Sequence, residues 1–130
     1  MELDYKDYFT KDNLRVRGYN LEADGVLDIS HFDTLEDAID DFMDNALRAI
    51  YNLFVKYKGR KWTDYFFSDM KNVDLTGVAL EYKELLNRAL VEQAIFIYDN
   101  GDASANASLD ETKTEYSPKA VAEIWDILIS

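Results

Sequence analysis

The hydrophobic pattern is clearest over residues 34–58, where apolar side chains recur every three or four positions. This period predicts an amphipathic helix of about six turns, one face of which enters the core. Thr34 and Asp37 resemble a capping box at the start of the helix, and Gly59 stands where a left-handed C-terminal cap would lie. The predicted core face contains Phe42, Ala46, Ile50 and Leu53.

Two further stretches show the same period. Residues 77–99 predict a second helix, which ends at the turn-forming sequence Asp99-Asn100-Gly101-Asp102. A third helix is predicted from Ser117-Pro118, because Ser favours the N-cap and Pro the first helical position. Its apolar face contains Val121, Ile124, Trp125 and Leu128.

The remaining segments are less regular. An aromatic cluster (Trp62, Tyr65, Phe66 and Phe67) is too apolar for an open loop and predicts a short packed helical turn. The small, polar residues from Asp99 to Tyr116 predict a mobile acidic loop. Partial alternation over residues 14–30 is compatible with a short strand or an extended arm, packed on this chain or on another molecule. We therefore predict an all-α fold, an antiparallel helical bundle over 34–130 with an N-terminal arm over 1–33.

Composition narrows the class of protein. A chain of 130 residues with 48% hydrophobic and 14% aromatic residues can bury the core of one domain. It has no cysteine, so disulfides and thiolate metal sites are excluded. No apolar run is long enough to span a bilayer, so we expect a soluble protein without a membrane partner. The net charge of -12 opposes ordinary binding to nucleic acid.

Acidic residues are concentrated in one tract. Nine lie between Glu22 and Asp44, with no Lys or Arg among them. A solvated surface that complements the helix dipole is one interpretation. The others are a DNA-mimicking inhibitor, a partner for a basic protein surface, and the lining of a passage that must not hold DNA. The candidate channel-lining acids are Glu36, Asp37, Asp40, Asp41 and Asp44.

The sequence contains few candidate catalytic or metal-binding residues. The spacing Asp40-Asp41-x-x-Asp44 would suit water-bridged Mg²⁺, but such enzymes need a large helical cavity and a second metal motif. The glutamates of the second helix do not form that motif. His31 is the only histidine, and no glycine-rich phosphate loop is present. We predict no enzyme activity, no metal and no cofactor. Aromatic and basic residues instead mark a candidate protein interface, formed by Arg60, Lys61, Trp62 and Trp125.

Three stretches, "AIDDFMDNALRAIYNLFVKYKGRKW", "YKELLNRALVEQAIFIYDNGD" and "YSPKAVAEIW", resemble the head–tail connector, or adaptor, proteins of long-tailed bacteriophages. The resemblance covers about 34–128. In that family a glycine- and arginine-containing turn ends the first helix, and a Ser-capped helix closes the fold. The second helix of the family carries a pattern like Arg-Ala-x-x-Glu-Gln-Ala, followed by apolar residues and Asn-Gly-Asp. The matching positions are Gly59 and Arg60 in the turn; Arg88, Ala89, Glu92, Gln93 and Ala94 on the second helix; Asn100, Gly101 and Asp102 after it; and Ser117 at the closing helix.

The resemblance implies a structural virion protein rather than an enzyme. Its subunits would form a closed ring, usually of about twelve copies, between the portal protein and the tail or stopper protein. The ring would complete the DNA channel at the head–tail junction, after assembly in the host cytoplasm. DNA would pass through without specific binding. The alternative function is an acidic DNA mimic that inhibits a host nuclease or CRISPR effector, and a small metal-dependent enzyme is a more distant one.

Overall fold

The computed structural model describes residues 2–57, 67–69, 72–74, 83–100 and 116–128. These residues are mostly helical, in agreement with the predicted class. The helices are α1 (Lys11–Arg15), α2 (Leu35–Tyr57), α3 (Lys83–Asp99) and α4 (Pro118–Leu128), and Tyr5–Asp7 forms one 3-10 turn. The strands are β1 (Glu2–Asp4), β2 (Phe67–Asp69) and β3 (Asn72–Asp74).

Helix α2 confirms the prediction for residues 34–58 to within one residue at each end. Thr34 is the cap: its Oγ1 accepts a hydrogen bond from the amide of Asp37 at 3.1 Å, and its carbonyl accepts one from Ala38 at 3.3 Å. The predicted core face is buried, with every member at most 2% exposed: Phe42, Ala46, Ile50 and Leu53.

Helices α3 and α4 are packed against each other. The cap predicted at Ser117 is confirmed, because its Oγ accepts a hydrogen bond from the Ala120 amide at 3.3 Å. The Ser117 amide in turn donates to Oε1 of the buried Gln93 at 2.8 Å. Farther along α4, Glu123 lies 3.8 Å from the guanidinium of Arg88. Both contacts, with Gln93 and with Arg88, join α4 to α3.

The N-terminal arm predicted over 1–33 packs on its own chain. Tyr5, Phe9, Leu14 and Leu21 are each at most 2% exposed and belong to the same core cluster as α2, α3 and α4. These residues are four, five and seven positions apart, so no single helix or strand period runs through the segment.

A small sheet of three short strands accompanies the helices. Its strand order is β1-β3-β2, with antiparallel pairs that align Leu3 with Val73 and Phe67 with Val73. The helical turn predicted through Phe67 is therefore wrong at that residue, which begins β2. Of the two alternatives for residues 14–30, a short strand or an extended arm, the strand is wrong, because none of these residues is in a strand. Three-residue strands are too short to show a period, and their partners are distant in sequence.

Several predictions lie outside the described residues. They concern the cap at Gly59, the aromatic residues at 62, 65 and 66, the start of the second helix at 77, and the mobile loop over 101–115.

Candidate functional site

The first turns of α2 carry the acidic residues that the sequence singled out. Because α2 begins at Leu35, Glu36 and Asp37 lie in its first turn, where negative charge interacts favourably with the helix dipole. Residues four apart on a helix lie on one line along its surface. The five candidate acids therefore divide into two rows: Glu36, Asp40 and Asp44 in one, and Asp37 and Asp41 in the other.

The first row lies beside the N-terminal segment. The Lys11 ammonium lies 2.8 Å from Oε1 of Glu36, and the Lys6 ammonium lies 3.6 Å from Oδ2 of Asp40. These ion pairs are largely exposed, so each adds little to stability and is weakened by salt. Their effect is local: they place positive charge beside acids that the sequence alone presents as unopposed.

The third member of this row makes a different contact. The Tyr5 hydroxyl donates a hydrogen bond of 2.6 Å to Oδ1 of Asp44, which is the length expected for a hydroxyl bound to a carboxylate. The burial of Tyr5 raises the pKa of its hydroxyl, and the hydrogen bond to Asp44 raises it further. Similarly, the hydrogen bond to Glu36 raises the pKa of Lys11, with Glu22 adding to the effect.

The second row lies beside a groove. Asp41 lines a groove of about 970 Å³ that is bounded by the first half of α2, by the loop from Glu22 to Phe32, and by Tyr98 of α3. Asp37 is exposed one turn earlier. No ion pair or side-chain hydrogen bond of either carboxylate occurs within the described residues.

Local hydrogen bonds shape the loop that forms one wall. The side chains of Asn20 and Asp28 accept hydrogen bonds from the amides two residues later, at 3.0 and 2.9 Å. The bond from Ser30 lowers the pKa of Asp28, which therefore keeps its negative charge. Gly25 has φ of 77°, a left-handed conformation that other residues rarely adopt.

The loop also brings apolar residues to the groove, and Ile29 is 48% exposed. The apolar lining includes Val26, Leu27, Ile29, Phe32, Leu35 and Tyr98. Tyr98 is held by an edge-to-face contact with Tyr19, whose ring lies 5.0 Å away. The acidic lining includes Asp24, Asp28 and Asp41, and the described lining residues include no Lys or Arg.

The three acids of the Asp40-Asp41-x-x-Asp44 spacing have different neighbours. Asp44 is hydrogen-bonded to Tyr5, Asp40 faces Lys6, and Asp41 lies on the other row. Within the described ranges no group of three His, Asp or Glu residues could hold a metal ion. His31 is exposed in the groove loop and lies near Asp28.

The candidate interface residues are only partly placed. Trp125 is 49% exposed on α4, as a residue for protein contact would be. The other three members, Arg60, Lys61 and Trp62, lie outside the described residues. The acidic candidates and Trp125 are not brought together by any described contact.

Sequence reasoning missed both neighbours of the acidic rows. Lys6 and Lys11 stand in an N-terminal segment whose path over α2 is set by the burial of Tyr5 and Phe9. The signal available in the sequence was the dense aromatic cluster Tyr5, Tyr8 and Phe9, which is too apolar for a free arm. The groove loop gave a weaker signal, since its isolated apolar residues follow no regular period.

Comparison with known proteins adds no relative: no family model, no curated protein and no solved structure matches this chain. Among the described helices, none is both long enough and apolar enough to cross a membrane.

Proposed function

We propose that this chain is a structural virion protein, a head–tail connector subunit that forms a ring below the portal protein and completes the DNA channel. One observation carries the proposal: the acidic tract retains a set of carboxylates that no described cation neutralises. These are Asp24, Asp28, Asp33, Asp37 and Asp41.

Such a surface is suited to a channel that conducts DNA. Phosphate groups are repelled by uncompensated carboxylates, and the repulsion is strongest where salt is low. A ring that turned these acids towards its lumen would lower the friction on passing DNA without binding it. The protein needs no active site for this role.

The resemblance to connector proteins supports the fold of the subunit more directly than its assembly. Ala89, Gln93 and Ala94 are buried on α3, and Gln93 accepts the hydrogen bond that fixes Ser117 at the start of α4. These positions therefore account for how α4 closes the fold. Of the remaining matched positions, Gly59, Arg60, Gly101 and Asp102 lie outside the described residues.

The antiparallel bundle is also part of the proposal. Ser117 contacts Gln93, whereas Glu123, six residues later on α4, contacts Arg88, five residues earlier on α3. This order is the one expected for antiparallel neighbours. In the same way, Tyr98 near the end of α3 lines the groove beside the start of α2.

The DNA-mimicking inhibitor is less well supported. A mimic must present carboxylates as substitutes for phosphates, and Lys6 and Lys11 lie among these acids. Glu22 is also paired with Lys11, at 3.6 Å. A basic target would have to displace these lysines or bind beside them.

Self-association and portal binding test the proposal. Native mass spectrometry of the purified protein, alone and with the portal protein encoded near its gene, should give one closed assembly of about twelve copies. Negative-stain images of that assembly should show a central channel. A protein that stays monomeric, ignores the portal and binds a nuclease with affinity that falls in salt would favour the inhibitor instead.

A further inference from the structure

The loop from Glu22 to Phe32 contains the only Asp-Gly pair of the chain, Asp24-Gly25. Both residues are exposed at the tip of a turn, which the Val26 amide closes by donating to the Ala23 carbonyl at 3.3 Å. The φ of 77° at Gly25 suits the third position of such a turn, where glycine is the preferred residue. The pair also lines the groove beside α2, so a covalent change at this point alters one wall of the groove.

An Asp-Gly pair reacts with itself when the side-chain carboxyl group meets the next backbone nitrogen, and two features leave this route open at Asp24. Neither the Asp24 carboxylate nor the Gly25 amide makes a hydrogen bond or ion pair within the described residues, so no such interaction has to break first. Gly25 has no Cβ, and a Cβ placed there would have no neighbour within 4 Å. The attacking nitrogen therefore has free space around it.

Asp28 provides a contrast within the same loop. Its carboxylate accepts a hydrogen bond of 2.9 Å from the Ser30 amide, which holds it away from the nitrogen of the next residue. That next residue, Ile29, is β-branched, so its side chain crowds the nitrogen that would attack. We therefore expect Asp28 to remain unmodified under conditions in which Asp24 reacts.

We propose that Asp24-Gly25 is a site of spontaneous isomerisation, at which aspartate becomes isoaspartate through a cyclic imide. The Gly25 nitrogen bonds to Cγ of the neutral Asp24 carboxyl group, the bond from Cγ to the hydroxyl breaks, and the hydroxyl leaves as water with the amide proton. A second water molecule then opens the five-membered ring at either carbonyl carbon. Opening at the main-chain carbonyl leaves Gly25 attached to Cγ, which is isoaspartate, whereas opening at Cγ restores aspartate.

The product keeps the charge of the acidic tract but not the shape of the turn. Isoaspartate carries a free carboxylate as aspartate does, so the repulsion of DNA under the proposed function is retained. The main chain between Ala23 and Gly25 becomes longer by one methylene group, which displaces the Val26 amide from the Ala23 carbonyl. The inference is thus independent of the proposed function.

Prolonged incubation of the folded protein in ¹⁸O-enriched water tests the proposal. Peptide mapping by mass spectrometry should resolve a second form of the peptide that contains Asp24, with the same sequence, a different retention time and an added ¹⁸O atom. Endoproteinase Asp-N cleaves before aspartate but not before isoaspartate, so it should fail to cut this form at Asp24. The form should accumulate faster at about pH 6 than at about pH 8, because the neutral acid is the species that loses water.

A synthetic peptide of residues 20–30 gives the rate of the reaction without the fold. The folded protein should react within about tenfold of this peptide, because an exposed loop opens at little cost in free energy. Asp24→Glu keeps the charge but would need a six-membered ring, so it should give no labelled product. Asp24→Asn should form isoaspartate faster at neutral pH, since ammonia leaves in place of water.

Three results would overturn the inference: an unlabelled Asp24 in the folded protein under conditions in which the peptide reacts, labelling of Asp28 to the same extent as Asp24, or the same labelled product from Asp24→Glu. The first would show that the turn protects the pair. The other two would show that the label does not arise from the Asp-Gly imide.

Discussion

The hydrogen bond from Tyr5 to Asp44 should contribute measurably to stability, and Tyr5→Phe removes it while keeping the aromatic ring. Tyr5 is 2% exposed, so its ring remains packed and the change is confined to one hydroxyl. That hydroxyl lies 2.6 Å from the Asp44 carboxylate. A hydrogen bond to a charged group contributes about 1.5–3 kcal/mol to the free energy of unfolding.

Because water reaches Asp44, the contribution of this hydrogen bond should be smaller than that range. Asp44 is only partly buried, so solvent can replace part of the lost interaction. We therefore expect Tyr5→Phe to lower the free energy of unfolding by about 1–2 kcal/mol, which corresponds to a fall in Tm of roughly 3–8 °C for a chain of this size. Urea titration followed by circular dichroism measures the first quantity, and calorimetry measures the second.

Tyr8→Phe is the matched control. The Tyr8 hydroxyl is also buried, but it has no hydrogen-bond partner within the described residues. Removing an unsatisfied buried hydroxyl relieves a desolvation cost of about 1–3 kcal/mol and leaves only a small cavity. Tyr8→Phe should therefore leave stability unchanged or raise it. Equal losses in the two variants would refute the reasoning, as would a Tyr5→Phe variant with the stability of the parent.

Tyr5 and Tyr8 should also make the stability of the protein depend on pH in the alkaline range. Burial raises the pKa of both Tyr5 and Tyr8 in the folded state above the ordinary value near 10. Below pH 10 both tyrosines are protonated in the folded and the unfolded state, so their contribution to the free energy of unfolding is fully present. Above it the unfolded chain loses these protons first, so stability falls as pH rises. Each Tyr→Phe variant should lose stability less steeply above pH 10 than the parent.

Three further predictions concern the core, the closing helix and the acidic tract. Ile50→Asp places an unpaired charge at a fully buried site and should cost several kcal/mol in thermal or urea unfolding, whereas Val16→Asp, at an 81% exposed site, should change stability by less than about 0.5 kcal/mol. Gln93→Ala removes the acceptor for the Ser117 amide and leaves a cavity, so urea unfolding should show a loss of about 2–4 kcal/mol. Asp37→Asn combined with Asp41→Asn should preserve folding and particle assembly but slow DNA ejection, most clearly at low salt; unchanged ejection at every salt concentration would contradict a channel-lining role.

The long helices could be predicted because their stability follows from local pattern. In α2 the period of the apolar residues, the Thr34 cap and the acidic first turn all indicate the same element. The start of α4 was predictable for the same reason, since Ser117 and Pro118 are suited to consecutive positions at a helix N-terminus.

The N-terminal segment and the sheet could not be predicted in this way. Tyr5 and Phe9 are buried through contacts with residues far along the chain, and β1 pairs with β3 some seventy positions away. No local period records such contacts. The two rows of acids followed from helix geometry, but the lysines beside one row and the groove beside the other depend on that long-range packing.

Under the proposed function, a phage genome encodes this chain, and a cryo-electron microscopy reconstruction of the head–tail junction of that phage tests the central claim most directly. The proposed function requires a ring of density immediately below the portal, into which copies of the subunit fit with α2, α3 and α4 in place. Fitted copies should turn Asp37 and Asp41 towards solvent or the channel. A junction whose density is fully accounted for by other proteins, or virions that lack this chain, would contradict the proposed function.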